Sequence, residues 1–252
     1  MIETILLLGR PGSGKTTAFH QIKRHFEDQE WDVIRVRDYD LLHDLFLADT
    51  TNQKFKPNTG GGFDVVDYSV LDDVLKEIEQ KIALIRKMSA KKKTIITIEF
   101  GRYDYAASLQ LFSPVFLKST HILYINTDVQ TCIKRIHNRV ATAKTDDDHF
   151  ISEDILLNFY IKENKTYIEN EIKNDAMPNI IIECVDNLDS LENFHRQIQR
   201  FANNVCKISS DKNNVTIKEK QIFEKEIVSR MFVVVLILIL VVVLKKQIRL
   251  NV

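Results

Sequence analysis

Residues 9–16 have the sequence Gly-Arg-Pro-Gly-Ser-Gly-Lys-Thr, and they stand between two segments with clear secondary-structure patterns. The apolar run Ile5-Leu6-Leu7-Leu8 precedes them, and the segment that follows carries Ala18, Ile22 and Phe26 at helical spacing. A strand, a glycine-rich turn and a helix are therefore predicted in this order. Glycines let such a turn curl until successive N–H groups point into one concavity, and the helix adds the positive end of its dipole. The stretch is therefore suited to holding phosphate oxygens.

The spacing of these residues is that of the P-loop, which places a lysine and a hydroxyl residue directly after the last glycine. Lys15 is expected to reach the β- and γ-phosphates of a nucleotide, and the Thr16 hydroxyl is expected to bind Mg²⁺. A glycine-rich turn without function is the alternative, but the strand before the turn and the helix after it favour the phosphate site. The predicted phosphate-binding residues are Gly9, Pro11, Gly12, Ser13, Gly14, Lys15, Thr16 and Thr17.

The composition is that of a globular protein without a strong electrostatic preference. The 252 residues suffice for one large domain or two small ones, and 44% of them are hydrophobic, enough to build a core. The formal net charge is +0, so no overall field favours nucleic acid, and no clear nucleic-acid patch is present. The three cysteines, Cys132, Cys184 and Cys206, lack metal-ligand spacing. They favour a reduced, cytosolic compartment.

Apolar runs alternate with helical patterns along the first 205 residues. Because the runs are continuous, both faces of the sheet are expected to be covered by helices. This predicts a three-layer α/β fold around a five-stranded parallel sheet. A polar loop is expected at residues 50–63, and one helix is expected at residues 152–173. The five strands are predicted at residues 2–8, 32–36, 94–100, 121–125 and 179–184.

With its compact loop at residues 9–17, the chain resembles the P-loop small-molecule and nucleotide kinases. Adenylate and shikimate kinases belong to this group, and polynucleotide 5′-kinases and zeta-toxin-type kinases are close relatives. The resemblance covers about residues 2–205, and the P-loop is its most specific part. It implies the three-layer P-loop NTPase fold, with ATP and Mg²⁺ as cofactors. It also implies phosphoryl transfer to a small-molecule, nucleotide or polynucleotide acceptor.

The resemblance implies roles for acidic residues at the ends of two strands. Residues 37–42, Arg-Asp-Tyr-Asp-Leu-Leu, look like the segment that bears the catalytic aspartate of the polynucleotide-kinase and zeta-toxin group. Asp40 is the first candidate for the base, Asp38 is the second, and an N-cap role is the alternative for Asp40. Glu99 ends a Walker B-like strand and is predicted to hold Mg²⁺. Arg102 is predicted to bind a substrate phosphate, and a surface ion pair with Glu99 is the alternative.

Arg135 and Arg139 lie four residues apart, on one face of a predicted helix. The resemblance implies that they are lid arginines, which stabilise the charge of the transferring phosphoryl group. The irregular segment at residues 142–150 would then be the lid. The alternative is a solvent-exposed face that pairs with nearby acids. The acidic residues 146–148 within the lid favour a solvated tip over a metal site.

The end of the chain differs in character from the rest. Residues 231–244 contain no polar side chain, and they follow a polar stretch. A helix of this length spans roughly 21 Å, which is short for a hydrocarbon core of about 30 Å, but Ile227 and Val228 lengthen it if Arg230 snorkels. We expect a domain at 1–206, a linker at 207–226 and a hydrophobic, transmembrane helix at 227–252 that anchors a cytoplasmic domain. A buried core element and a dispensable tail are the alternatives.

Two other functions remain compatible with the sequence. One is a P-loop NTPase that uses hydrolysis as a switch or sensor, and the other is a membrane-linked ATP-binding scaffold without transfer activity. The absence of an Asn/Thr-Lys-x-Asp motif after a strand argues against a GTPase. The sequence does not name the phosphoryl acceptor.

Overall fold

A five-stranded parallel sheet forms the centre of the protein, with spatial order β2-β5-β1-β6-β7. β1 lies in the middle and pairs with β5 on one side and β6 on the other. Two short strands, β3 and β4, pair antiparallel to each other in a separate small sheet. The strands are β1 (Ile2–Leu8), β2 (Asp32–Arg37), β3 (Phe55–Pro57), β4 (Phe63–Val65), β5 (Thr94–Phe100), β6 (Thr120–Asn126) and β7 (Ile182–Asp186).

Helices follow the sheet strands in alternation. The computed structural model describes residues 1–58, 62–89, 92–141, 150–162, 164–174 and 176–212. The chain divides into two units, Met1–Ile208 and Ser209–Val252, and residues 209–212 of the second unit are helical. The helices are α1 (Lys15–Glu27), α2 (Asp38–Ala48), α3 (Ser69–Met88), α4 (Tyr105–Leu109), α5 (Pro114–Leu117), α6 (Val129–Ala141), α7 (Glu153–Asn158), α8 (Lys165–Tyr167) with a π-helical turn at Ile168–Ile172, and α9 from residue 191 to residue 212.

Two apolar clusters cover the two faces of the sheet. Successive side chains of a strand point to opposite faces, so Leu6 and Leu8 join one cluster, while Ile5 and Leu7 join the other. The first cluster contains the apolar stripe of α3, and the second contains those of α1 and α9. This is why the strand runs are continuously apolar, and it gives the three layers and the parallel sheet that the sequence predicted.

The predicted loop at residues 50–63 contains more structure than expected. β3 and β4 form a hairpin there, and Phe55, opposite Val65, is fully buried. Asp49 is the C-cap of α2, and its carboxylate accepts N–H hydrogen bonds from Lys54 and Phe55 at 2.7 and 3.0 Å. Strands of three residues are too short to produce a visible alternation of polar and apolar residues, which is why the sequence did not reveal them.

The helix predicted at residues 152–173 is interrupted. α7 ends at Asn158, and helical structure returns only at Lys165. The carbonyl groups of Tyr160, Ile161 and Lys162 instead accept hydrogen bonds from the buried guanidinium of Arg10. A tertiary contact therefore takes the place of helical hydrogen bonds here. Residues 207–212, the start of the linker that the sequence predicted at residues 207–226, are helical.

No helix within the described ranges is long and apolar enough to cross a membrane. The hydrophobic segment predicted at residues 227–252 lies outside those ranges, as do residues 142–149 of the predicted lid.

Candidate active site

The P-loop runs from the end of β1 to the start of α1, and close packing explains its glycines. Gly12 has φ +78°, and a Cβ atom there would lie 2.8 Å from the carbonyl oxygen of Cys132. Gly14 has φ +109°, and its Cβ atom would lie 2.5 Å from Nδ2 of Asn187. Both the left-handed backbone and the neighbouring elements therefore require glycine at these positions. The hydroxyl of the buried Tyr105 accepts the N–H of Gly9 at 2.8 Å and holds the start of the loop.

Lys15 is the first residue of α1, and its ammonium group contacts the backbone of the P-loop. Its Nζ donates to the carbonyl oxygens of Gly9 and Arg10 at 2.8 and 3.0 Å. Burial lowers the pKa of Lys15, while the negative charges of Glu99 and Asp38 act in the opposite direction. The two acids at the ends of β5 and β2 are therefore close enough to act on the P-loop lysine.

Glu99 and Thr16, the two predicted Mg²⁺ ligands, are brought together by an arginine that the sequence analysis missed. Nε and Nη2 of Arg35 donate to the Glu99 carboxylate at 2.6 and 3.1 Å, and Nη2 also lies 3.2 Å from Oγ1 of Thr16. The guanidinium group lies 4.4 Å from the ring centre of Phe19. A signal was present in the sequence, because Arg35 and Arg37 are two residues apart and so share one face of β2.

One cavity of about 490 Å³ extends from the P-loop to the ends of β2 and β5. Its lining includes Lys15, Thr16, Glu99, Asp38 and Arg102. A volume of this size is typical of small-molecule and cofactor sites. The strand ends meet here because all five strands run in the same direction, as is general for ligand sites in open α/β sheets.

Arg102 is buried and holds Asp38 in position. Its Nη1 donates to Oδ2 of Asp38 at 2.6 Å and to the carbonyl oxygen of Gly101 at 2.7 Å. Its Nη2 donates to the carbonyl oxygen of Leu71 at 2.8 Å. The alternative of a surface pair between Arg102 and Glu99 is wrong, because each residue has a different and largely buried partner.

Asp40, the first candidate for the base, does not line this cavity. It lies in the first turn of α2, where its carboxylate accepts from Nε and Nη2 of Arg37 at 3.1 and 2.5 Å. The helix begins at Asp38, with Arg37 as its N-cap, so Asp40 is not the cap residue either. Residues two apart in a helix lie about 200° apart around its axis, so the two carboxylates face different sides of α2, and only Asp38 of the two lines the cavity.

Arg135 and Arg139 both line the cavity from α6. Arg135 donates to the carbonyl oxygen of Asn187 at 3.0 Å, and Asn187 in turn donates to the carbonyl oxygen of Ser13 at 2.7 Å. This links α6, the loop after β7 and the P-loop. The positive charge of Arg139 contributes to the lowered pKa of Lys15, so it acts close to the phosphate-binding region.

Arg10 was not singled out by the sequence analysis, because its position in the P-loop accepts any residue. Its guanidinium is buried, and it donates to the carbonyl oxygen of Thr127 at 2.9 Å as well as to those of residues 160–162. It therefore attaches the chain between α7 and α8 to the P-loop.

In the residues that the structure describes, no cluster of three or more His, Cys, Asp or Glu side chains could hold a metal ion by itself. A P-loop magnesium site needs no such cluster, because one hydroxyl, one carboxylate and the nucleotide phosphates supply its ligands. Thr16 and Glu99 provide this pair of oxygen donors, and both lie within hydrogen-bond distance of the same guanidinium. The residues therefore fit Mg²⁺, provided that Arg35 moves aside.

Several solved structures are similar to the chain at low identity. A gluconokinase from Sinorhizobium meliloti is 13% identical, with 83% of this chain and 97% of that chain covered and a TM-score of 0.48. The APS kinase of Mycobacterium tuberculosis, in complex with AMPPNP and APS, is also 13% identical, with 82% and 97% covered and a TM-score of 0.46. Shikimate kinase from Acinetobacter baumannii is 9% identical, with 84% and 95% covered and a TM-score of 0.40. At TM-scores this low, the likenesses add nothing to the assignment.

A search of curated protein sequences finds no match. A family model described as AAA domain matches residues 8–152, more than half of the chain, and it begins at the last residue of β1 and includes the whole P-loop. The chain therefore belongs to the AAA domain family, and its strand order and P-loop geometry agree with a P-loop NTPase fold.

Proposed function

We propose that the protein is an ATP-dependent phosphotransferase that acts on an acceptor bound beside Asp38. One observation carries the proposal. A single cavity is lined both by the P-loop, with Lys15, and by the Asp38–Arg102 pair. A pure hydrolase needs only room for water next to the γ-phosphate, whereas this cavity is also lined by residues of β4 and of the segment after α7, where the acceptor is proposed to bind.

The P-loop and its lysine form the nucleotide half of the proposed site. The loop N–H groups and Lys15 bind the β- and γ-phosphates of ATP, with Thr17 at the edge of the same cavity. Thr16 and Glu99 hold Mg²⁺, which neutralises phosphate charge when it is bound. Arg135 and Arg139 face the transferring group from α6 and stabilise its negative charge.

Asp38 acts on the acceptor in the other half of the proposed site. Its carboxylate orients the attacking oxygen and takes its proton. Arg102 keeps that carboxylate in place through the 2.6 Å hydrogen bond, and so it acts as a positioning residue. The remaining polar contacts of Arg102, to the carbonyl oxygens of Gly101 and Leu71, anchor the guanidinium to β5 and α3.

The test is to incubate the full chain with Mg-ATP and pooled acceptors, and to follow ADP and phosphorylated products by mass spectrometry. A new phosphorylated species that Lys15→Ala abolishes supports the proposal. ADP without a new species would indicate the switch-like NTPase. ATP binding without either product would indicate the binding scaffold.

Asp38→Asn and Asp40→Asn are a matched pair for the base, because both remove one charge from the first turn of α2. Removing a general base typically costs about 100- to 10,000-fold in rate, so Asp38→Asn is expected to lower kcat by at least 100-fold at unchanged ATP affinity. Asp40→Asn is expected to leave kcat within about threefold, since its partner Arg37 has no part in the proton transfer. The reverse pattern would return the base to Asp40.

We also propose membrane attachment through residues 227–252, with the catalytic unit in the cytoplasm. Its support is the sequence of residues 231–244, which contains no polar side chain and is followed by Lys245, Lys246 and Arg249. Lysines and arginines at the end of an apolar helix reach the lipid headgroups.

A further inference from the structure

Aromatic rings form much of the cavity wall near Asp38. We call these rings the aromatic wall, and they come from α2, β4, the start of α3 and the segment after α7. Its members are Tyr39, Phe63, Tyr68, Phe159 and Tyr160, all of which line the cavity. They belong to one region because Tyr39 follows Asp38 directly, while Tyr160 lies within electrostatic range of Asp38, Arg102 and Tyr68.

The rings are arranged in parallel pairs. Tyr39 and Phe63 stack with centroids 5.6 Å apart and an angle of 16° between their planes. Tyr68 and Phe159 stack at 4.8 Å and 12°. Tyr68 remains 49% exposed despite its stacking partner, so a large part of its surface stays accessible. Flat faces that are ordered in this way favour a ligand that is itself flat and aromatic.

Several polar side chains at or near this end of the cavity bond to one another. Asp38 accepts from Arg102, and Asp64 accepts from Asn58 at 3.2 Å. Arg37 donates to Asp40. A sugar or polyol acceptor buries several hydroxyl groups, and each of them needs a partner in the site. The wall offers mainly ring faces, with the hydroxyl groups of its three tyrosines, together with one carboxylate for one reacting oxygen.

We infer that the phosphoryl acceptor carries a nucleobase that stacks on the aromatic wall while its reacting oxygen lies at Asp38. This inference rests on the proposed function and names its substrate class. In the transfer, the acceptor oxygen forms a bond to the γ-phosphorus, the bond from that phosphorus to the β-γ bridging oxygen breaks, and ADP leaves. The acceptor proton passes to the Asp38 carboxylate. A free nucleoside or nucleotide and the 5′ end of an oligonucleotide offer the same chemistry.

The test begins with binding, so that it does not depend on catalysis. The full chain in mild detergent is saturated with Mg²⁺ and AMPPNP, which fills the P-loop half of the site. Nucleosides, 5′-monophosphates and short 5′-hydroxyl oligonucleotides are then titrated by calorimetry, each beside ribose, ribose 5-phosphate, gluconate and shikimate. At least one base-bearing probe is expected to bind at least tenfold more tightly than its baseless counterpart, because a base stacked on an aromatic ring gains about this factor.

Tyr68→Ala and Tyr103→Ala form the matched pair of variants. Both rings contact Phe159 with centroids 4.8 Å away, and they are 49% and 47% exposed, but only Tyr68 lines the cavity. Tyr68→Ala is expected to weaken binding of the base-bearing probe about tenfold, and Tyr68→Phe to retain it, because stacking needs the ring and not the hydroxyl. Tyr103→Ala is expected to bind the base-bearing probe with the affinity of the unchanged protein. The affinity for AMPPNP is expected to stay constant in all three variants.

The outcomes separate this inference from the proposed function. Tighter binding of ringless sugars or acids than of every base-bearing probe overturns the inference, as does the absence of binding by every base-bearing probe. Equal effects of Tyr68→Ala and Tyr103→Ala overturn it as well. Phosphorylation of a ringless acceptor would then leave the phosphotransferase standing with another substrate. The opposite result is also informative. If the base-bearing probe binds, but Mg-ATP phosphorylates neither that probe nor any pooled acceptor, the aromatic site is upheld and the phosphotransferase is contradicted.

Discussion

Arg35 occupies an unusual place among the residues of the candidate site. Its guanidinium joins the carboxylate of Glu99 to the hydroxyl of Thr16, the two groups that are proposed to hold Mg²⁺. The side chains of Arg35 and Glu99 are 16% and 7% exposed, so Glu99 depends on this cation for its compensation. Under the proposed function, arginine and magnesium compete for the same carboxylate.

Replacing Arg35 by methionine removes the charge and keeps most of the side-chain volume. Breaking a largely buried ion pair costs about 3 kcal/mol, which corresponds to roughly 6–12 °C in Tm for a domain of this size. Mg²⁺ with ATP is expected to raise the Tm of Arg35→Met by more than that of the unchanged protein, because the metal then supplies the missing positive charge at Glu99. ATP with EDTA is expected to give no such difference. Differential scanning fluorimetry gives the Tm of both proteins, each with Mg²⁺ and ATP and with ATP and EDTA.

Arg37→Met is the matched control, since it lies two residues along the same strand and its partner Asp40 is 45% exposed. An exposed pair contributes at most about 1 kcal/mol, so a loss of less than roughly 4 °C is expected. Equal losses in the two variants, or a Mg²⁺ effect that is the same in both, would contradict the role given to Arg35.

Residues differ in how far the sequence alone reveals them. Gly12 and Lys15 were predictable, because a P-loop is a local conformation that local spacing encodes. The sequence placed Asp40 before Asp38 as the candidate base, because local spacing does not tell which face of α2 meets Arg102. Arg35 was hidden for the same reason, because its partner Glu99 is 64 residues away along the chain.

At the scale of elements, the short helix α4 contacts the first residue of the P-loop and holds it in place. Its N-cap, Asp104, accepts from the N–H groups of Ala106 and Ala107 at 2.9 and 3.2 Å, and it also pairs with Lys162. The first residue of the helix is Tyr105, whose hydroxyl holds Gly9. The hydrogen bond from Lys162, together with those backbone N–H groups, lowers the pKa of Asp104.

Asp104→Asn tests this cap through the dependence of stability on pH. Because the folded-state pKa of Asp104 is lowered, its carboxylate contributes stability above the unfolded-state pKa of about 3.9, and that contribution is lost as the pH falls through the folded value. Asn also caps helices, so Asp104→Asn removes only the charge and its pair with Lys162, and we expect it to unfold up to about 1 kcal/mol more easily at pH 7 and to approach the unchanged protein below pH ~4. Urea denaturation at four pH values gives the free energy of unfolding of the variant and of the unchanged protein.

Asp73→Asn serves as the control on another helix. Its pair with Lys76 is mostly exposed, so the free energy of unfolding is expected to change by less than about 1 kcal/mol at every pH. A difference between Asp104→Asn and the unchanged protein that stays constant from pH 7 to pH 3 would show that the carboxylate charge has no part in the cap.

At the scale of the whole molecule, the sheet was the most predictable feature. Parallel strands covered on both faces leave continuous apolar runs in the sequence, and the helices between them leave a 3.6-residue period. The hairpin at Phe55–Val65 leaves neither signal, because its strands have only three residues each. The break after Asn158 leaves neither as well, because the contacts of the distant Arg10 determine it. The elements that were missed also provide part of the aromatic wall, so the proposed acceptor site was less predictable than the P-loop.

The division of the chain near residue 208 makes the last prediction possible. Within the described residues, the apolar side chains of the three core clusters all lie before residue 209. A chain that ends at Lys212 keeps every described helix and strand, and it is expected to unfold within about 1 kcal/mol of the full chain, roughly 2–4 °C in Tm. It is also expected to bind ATP equally well. In flotation with lipid vesicles the full chain should move with the lipid, because residues 227–252 carry the apolar run, and the shortened chain should remain in the dense fraction. A shortened chain that fails to fold would assign the apolar run to the core, and one that still floats would place membrane attachment elsewhere in the molecule.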